Sequence, residues 1–252
     1  MTKKLDKLAV RARAATLDAL GNPRHTSNSE EWMTPTDVIE AARALMGGID
    51  LDPASSAEAN TRVKARRFYG PGPGSAGADG LSSSVGWKGR VFLNPPGGHC
   101  DAEGRRVVKG SKAAPGCTET GACGLKPGHE HVGVQSAAKR WWWELAAEWH
   151  AGRTEQAVFL GFSIEILQTT QGDNPGVSVA DDRDEVAAPI PLDFPLCFPA
   201  KRLVFVRKDD KGQLVPVRGM THASVIVWLS REGERYTSGA MRRAFGALGK
   251  CR

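Results

Sequence analysis

Short apolar segments alternate with helical patterns along most of this chain, and that alternation admits few folds. Residues 49–52, 66–69, 90–93, 156–162, 203–207 and 223–229 read as short strands, most of them apolar and all set off by turn residues or helical segments. Between them, apolar residues recur at helical spacing. Val38, Ile39, Ala42, Leu45 and Met46 form one such stripe. Thr34-Pro35-Thr36-Asp37 opens it with a hydroxyl N-cap, a first-turn proline and a carboxylate, and Gly47-Gly48 closes it. A second helix is predicted over 57–64, and a third runs from a cap at Ser136 to near Gly152. Parallel strands need crossover helices, so the expected class is α/β with a mostly parallel, doubly wound sheet.

Two stretches fall outside this rhythm. Residues 1–30 are basic and then polar and read as an N-terminal arm; residues 98–135 lack apolar periodicity and read as a loop insert within a domain spanning 31–252. No apolar run approaches the roughly 18 residues of a membrane span, and the first residues lack a signal-peptide core. A cytoplasmic protein is expected, with no membrane partner. The five cysteines, an odd number, argue against a secreted disulfide scaffold. The formal charge of +6 suits a polyanionic partner such as nucleic acid.

The sharpest chemical signal is Asn94-Pro95-Pro96, which follows directly on the strand residues Val91-Phe92-Leu93. Ligands of doubly wound folds bind outside the carboxyl ends of strands. Consecutive prolines lock φ and hold the preceding residue extended. The Asn94 side-chain oxygen and the Pro95 carbonyl then become acceptors with fixed directions. Two such acceptors gripping an aromatic amine draw its nitrogen lone pair out of the ring and aim it at an electrophile. A strand-ending turn is the plainer reading of the same tripeptide.

The segments "EWMTPTDVIEAA", "IDLDPASSAEAN", "DGLSSSVGW", "VFLNPPGG", "SAAKRWWWELAAEW" and "PAKRLVF" occur in this order between Glu31 and Leu229. Together they resemble the amino-methyltransferases, in particular the adenine-N6 DNA methyltransferases of phages and prophages. The resemblance leaves the arm and most of the insert uncovered. It implies a Rossmann-like methyltransferase fold, S-adenosylmethionine as cofactor and DNA as partner, with Asn94, Pro95 and Pro96 catalytic. It implies that Trp32, Thr34 and Pro35 contact the methionine part of the cofactor. Asp52-Pro53 matches the acidic turn that holds the cofactor amino group, with Asp50 and Leu81 in the same binding set. Asp79 matches the acceptor for the cofactor adenine amine. Capping would account for Thr34 and Asp52 on plain structural grounds, and a polar turn would account for Asp79.

One departure stands out. Where most relatives carry an aromatic residue that stacks on the flipped-out base, this chain has Gly97 followed by Gly98. Glycine has no π-face, so the base needs another platform. Within Trp141-Trp142-Trp143, helical geometry sets Trp142 with Leu145 and Trp149 on a core stripe and Trp143 with Lys139 and His150 on the polar side. Gly97, Lys139 and Trp143 are therefore the candidate substrate contacts, Trp143 being a stacking candidate beside a phosphate contact.

The insert concentrates soft ligands: Cys100, Cys117, Cys123, His129 and His131. Three thiolates and one imidazole would satisfy a tetrahedral structural Zn²⁺ in a segment too poor in apolar groups for a core. Free thiols in a loop are the alternative. Cytosine N4, RNA adenine or another planar nitrogen remains open as target, as does a non-catalytic nucleic-acid-binding descendant. Recognition sequence and oligomeric state are not encoded in these motifs.

Overall fold

The computed structural model of the protein describes residues 32–77, 79–82, 86–101, 106–107, 134–172, 174–178, 185–217, 222–231 and 238–252. The arm at 1–30 lies outside the described residues.

Seven strands form the central sheet: β1 (Leu51–Asp52), β2 (Arg67–Phe68), β3 (Gly89–Leu93), β4 (Thr154–Gly161), β5 (Leu196–Pro199), β6 (Val225–Ser230) and β7 (Gly249–Cys251). Their spatial order is β2-β1-β3-β4-β6-β5-β7. The pairs β1·β2, β1·β3 and β3·β4 are parallel, whereas β4·β6, β6·β5 and β5·β7 are antiparallel. The protein is thus α/β with a mixed sheet whose core is partly parallel, which corrects the expectation of a mostly parallel one. Strand β6 enters between β4 and β5 against their common direction. It escapes recognition as antiparallel because all of its residues are buried, so it reads as the same continuous apolar run a parallel strand would show.

Both faces of the sheet are covered. Val91, Leu93, Ala157, Phe159, Val225, Val227 and Leu229 meet helix α3 (Ala137–His150) on one side, with Ile166 of α4 (Glu165–Thr169). Phe92, Val158, Leu160, Ile226 and Trp228 meet α1 (Thr36–Met46), Val63 of α2 (Ala57–Val63) and α5 (Ser238–Phe245) on the other. Successive strand residues alternate between the two cores, as the pleat requires.

The strand predicted at 203–207 is not part of this sheet. Val206–Lys208 pairs with Leu214–Pro216 in a separate ribbon, and Met33 bridges to Val206. Strands β5 and β7 had no legible periodicity, being short and, for β5, bounded by Pro195 and Pro199.

Helix α1 starts one turn residue later than expected. Pro35 is its N-cap, with no side-chain cap bond, so Thr34 does not cap it. Gly47 ends it in the left-handed region at φ 72°, as expected of a helix-stopping glycine. The third helix likewise begins after Ser136 without a side-chain cap bond.

The insert leaves and re-enters the domain as paired backbone. His99–Cys100 pairs antiparallel with both Arg106–Val107 and Gln135–Ser136. Its two ends are therefore stitched together just beyond Asn94-Pro95-Pro96.

Asp50 precedes β1, at the amino edge of the sheet, away from the end where Asn94 lies. Its carboxylate takes Arg90 Nε at 2.7 Å, Arg90 Nη2 at 3.0 Å and the Arg90 amide at 3.0 Å, with Arg66 at 3.5 Å. Those partners, Arg90 above all, hold its carboxyl down at about 2. The same guanidinium donates to the Gly47 carbonyl at 2.6 Å, tying the end of α1 to the sheet. Asp50 is thus a structural anchor, a role its expected place among the cofactor contacts did not include. Asp50→Ala is expected to cost about 1.5–3 kcal/mol of stability, the scale of hydrogen bonds to a charged group. Urea denaturation measures that loss, and an unchanged cofactor affinity in the folded variant checks that role. Because the carboxyl is held below its ordinary value of 3.8, this stabilisation is complete above that pH and is lost as pH falls through about 2.

Candidate active site

The topology itself selects a location. From β1 the chain crosses to β2 on one side; from β3 it crosses through α3 to β4 on the other. The carboxyl ends of β1 and β3 are therefore the point where the winding reverses, and a crevice opens there in sheets of this kind. Asp52 ends β1, and Asn94 follows directly on β3.

Four of the sequence segments converge at that point. Asn94 Nδ2 donates to the Thr34 hydroxyl at 3.0 Å. Thr34 is buried, and its carbonyl accepts from Arg62 Nη2 at 3.2 Å, while Thr36 Oγ1 accepts from the same nitrogen at 2.8 Å. The Thr34 hydroxyl is thus spent on orienting Asn94 rather than on capping α1. Among the described residues nothing donates to Asn94 Oδ1 or to the Pro95 carbonyl, which leaves both with acceptor capacity. Pro95 is buried, whereas Pro96, Gly97 and Gly98 are exposed.

Asp52 is 3% exposed, and its Oδ1 accepts from the Ala54 amide at 3.2 Å. Helix α2 is capped instead by Ser56, whose side chain accepts from Ala59 N at 3.0 Å. The capping explanation of Asp52 therefore fails. Burial pushes its carboxyl up to about 7, with the Ser55 hydroxyl and the Ala54 amide pulling the other way. Among the described residues no cation stands beside it, and a buried carboxylate without one is a costly group unless a ligand supplies the charge.

The loop carrying Asp79 and Leu81 packs directly on this turn. A Cβ on Gly80 would lie 2.0 Å from the Pro53 carbonyl oxygen and 3.1 Å from Trp141, so only glycine allows the approach. Trp87, fully buried, donates from Nε1 to the Gly80 carbonyl at 2.9 Å and stacks on Trp141 at 5.8 Å. Asp79 is exposed, and its Oδ1 accepts from the Leu81 amide at 2.9 Å, the turn geometry that its plainer reading demands. Trp32, 37% exposed, and Pro35 flank the Thr34–Asn94 contact in sequence.

The expectation for the tryptophans requires correction. Trp141, Trp142 and Trp143 are all buried, at 6%, 0% and 8% exposure. Trp142 meets Phe159 and Phe194 edge-on and donates to the Pro189 carbonyl at 3.0 Å; the helix lies in a trough lined on several sides. Trp143 is therefore core and offers no exposed ring for stacking. Lys139 is half-buried on the same helix.

Cys100 is buried in the ribbon at the base of the insert, and burial pushes its thiol up to about 11. Cys117, Cys123, His129 and His131 lie outside the described residues. Among the described residues no cluster of three or more metal-ligating side chains occurs.

One residue beside the site carries no assignment from the sequence. Phe162 follows β4, and the ring lies 3.7 Å from where a Cβ on Gly97 would stand. Its position, an aromatic residue immediately past the carboxyl end of a strand, was the available signal.

Comparison with protein-family models, with curated proteins and with solved structures finds no match to this chain.

Proposed function

We propose that this protein is an S-adenosylmethionine-dependent methyltransferase acting on the exocyclic N6 amine of adenine in DNA, on a Rossmann-like methyltransferase domain. The observation that carries the reading is the Asn94–Thr34 hydrogen bond at the reversal point of the sheet, beside the Asp52 turn. It joins three segments that the family resemblance ties to one reaction. The mixed sheet with helices on both faces is compatible with that domain type.

The residues present fit the cofactor. Asp52, buried and short of a counter-charge, would hold the amino group by a charge-assisted hydrogen bond. The loop at Gly80, pressed on Pro53, would border the same ligand through Asp79 and Leu81. When bound, S-adenosylmethionine supplies an electrophilic methyl group on a sulfonium.

The chain's part in the reaction is positional. Thr34 fixes the Asn94 amide so that Oδ1 faces the incoming amine. Oδ1 and the Pro95 carbonyl accept its two N–H bonds, which aligns the nitrogen lone pair with the methyl group. With the cofactor bound, the amine nitrogen would bond to the methyl carbon as the carbon–sulfur bond breaks, the neutral thioether would leave, and the nitrogen would give one proton to water, so no cysteine nucleophile is needed. The excess of basic residues supports a polyanionic substrate.

The test is nucleoside analysis of DNA incubated with the protein and labelled cofactor. N6-methyladenine is the expected product; N4-methylcytosine, or label in RNA alone, would reassign the target. Absence of any transfer, with no cofactor binding by calorimetry, would overturn the reading.

A further inference from the structure

On the proposed reading Asn94 and Pro95 hold an amine, but an amine held at its hydrogens still swings about the bond to its ring. A planar substrate needs a flat surface to fix that swing. Gly97 and Gly98, the residues that follow the prolines, present none.

The sheet brings a ring to this place from another strand. Leu93 is in register with Phe159, so Pro96 and Phe162 lie equally far beyond the last paired residues of β3 and β4. Phe162 Cε1 and Cζ stand 3.7 Å from a Cβ built on Gly97, an ordinary contact distance. Phe162 is half-buried at the sheet's carboxyl edge. Its orientation is set by His222, whose ring meets it edge-on at 5.4 Å and 87°. His222 arrives from the antiparallel strand β6, whose first residue, Val225, pairs with Gly161. The reversal of β6 is thus what delivers the imidazole to the carboxyl edge.

We infer that Phe162, held by His222, is the stacking platform for the planar ring whose amine meets Asn94, and that the substrate is consequently a nucleobase rather than a peptide amide. The inference rests on the proposed methyltransferase reading. Gly97 is then part of the arrangement, since a larger side chain there would cover the Phe162 ring. A base gains stacking energy from any π-face, and removing such a face costs roughly 5- to 150-fold.

Two measurements test this. In the first, kcat/KM for DNA is compared in Phe162→Ala, Phe162→Leu, Phe162→Tyr and the double variant Phe162→Ala with Gly97→Tyr. The expected result is a loss of about 10- to 100-fold in the Ala and Leu variants, with cofactor affinity and Tm unchanged, near-normal activity in the Tyr variant, and recovery in the double variant, where the ring returns from the neighbouring position. Leu replaces the packing volume without the π-face, so a fully active Leu variant would reduce Phe162 to a packing residue and overturn the inference. In the second, a single-stranded oligonucleotide with adenines replaced by 2-aminopurine is titrated with protein, and fluorescence is followed. Wild-type protein should quench the signal by stacking, and the Ala and Leu variants should not. Equal quenching by all three overturns the platform whether or not the protein methylates DNA. Quenching by wild type alone, without methyl transfer, retains the platform and removes the catalytic reading.

Discussion

Asn94→Ala is expected to lower methyl transfer by roughly 100- to 1,000-fold while leaving S-adenosylmethionine affinity within a few fold, the scale set by deleting one preorganised hydrogen-bonding group. Asn94 Nδ2 donates to Thr34, and on the proposed reading the other amide atom, Oδ1, meets the target amine rather than the cofactor. Asn94→Asp should retain far more activity, because it keeps an acceptor oxygen and the Thr34 hydroxyl can turn to donate to it. Thr34→Val, which removes the hydroxyl without changing volume much, should show a smaller loss than Asn94→Ala, since the amide then loses its orientation but not its oxygen. Single-turnover transfer measured beside calorimetry separates these effects. An Asn94→Ala variant turning over at more than half the wild-type rate would remove this residue from the chemistry.

Asp52→Asn carries the second large effect, and it acts in two directions. The isosteric amide keeps an acceptor for the Ala54 amide but removes the charge. Cofactor affinity should fall by about 1.5–3 kcal/mol, the value of a charge-assisted contact. The apoprotein should become more stable at the same time. With the carboxyl pushed up to about 7 from an ordinary value of 3.8, the wild-type side chain contributes its full stability only below the ordinary value. That contribution is lost as pH rises through about 7. Above that pH the wild type carries a buried, uncompensated charge worth at most about 4 kcal/mol, taking each pKa unit as about 1.4 kcal/mol. The Asn variant should therefore melt above the wild type at alkaline pH and converge with it in acid. The deprotonated carboxylate is the form that accepts an ammonium group. Wild-type cofactor affinity should accordingly rise with pH up to about 7 and level off beyond it, with no such rise in the Asn variant. A flat wild-type profile, or unchanged affinity in a folded Asn variant, would detach Asp52 from the cofactor.

The local elements were legible because local physics makes them. The stripe from Val38 to Met46, the stop at Gly47, the Ser136–His150 region and the strands at Gly89–Leu93 and Thr154–Gly161 follow from spacing, side-chain type and backbone freedom over a few residues. The restricted turn at Asn94-Pro95-Pro96 was equally legible, since proline restricts its own backbone and its neighbour's wherever it stands. Periodicity failed where burial is not periodic. Trp143 lies on the side of α3 that composition marks as polar, yet a surrounding trough buries it.

Direction and partnership belonged to the tertiary structure. A strand buried on both faces has the same composition whichever way it runs, so the reversal of β6 was invisible until β4 and β5 stood on either side of it. Asp50 and Asp52 are two residues apart with the same side chain, and the sequence offers both as ligands. The fold gives Arg90 to the first and holds it near 2, and it buries the second, with no cation beside it among the described residues, and raises it to about 7. Thr34 stands sixty positions from Asn94 and Phe162 sixty-five from Gly97, so neither contact has a local signal. What the residues determined by themselves was which segments pair helices with strands and where a rigid proline turn must lie. What only the folded chain decided was which polar groups are left unsatisfied at that turn, because satisfaction depends on distant partners that the sheet alone brings together.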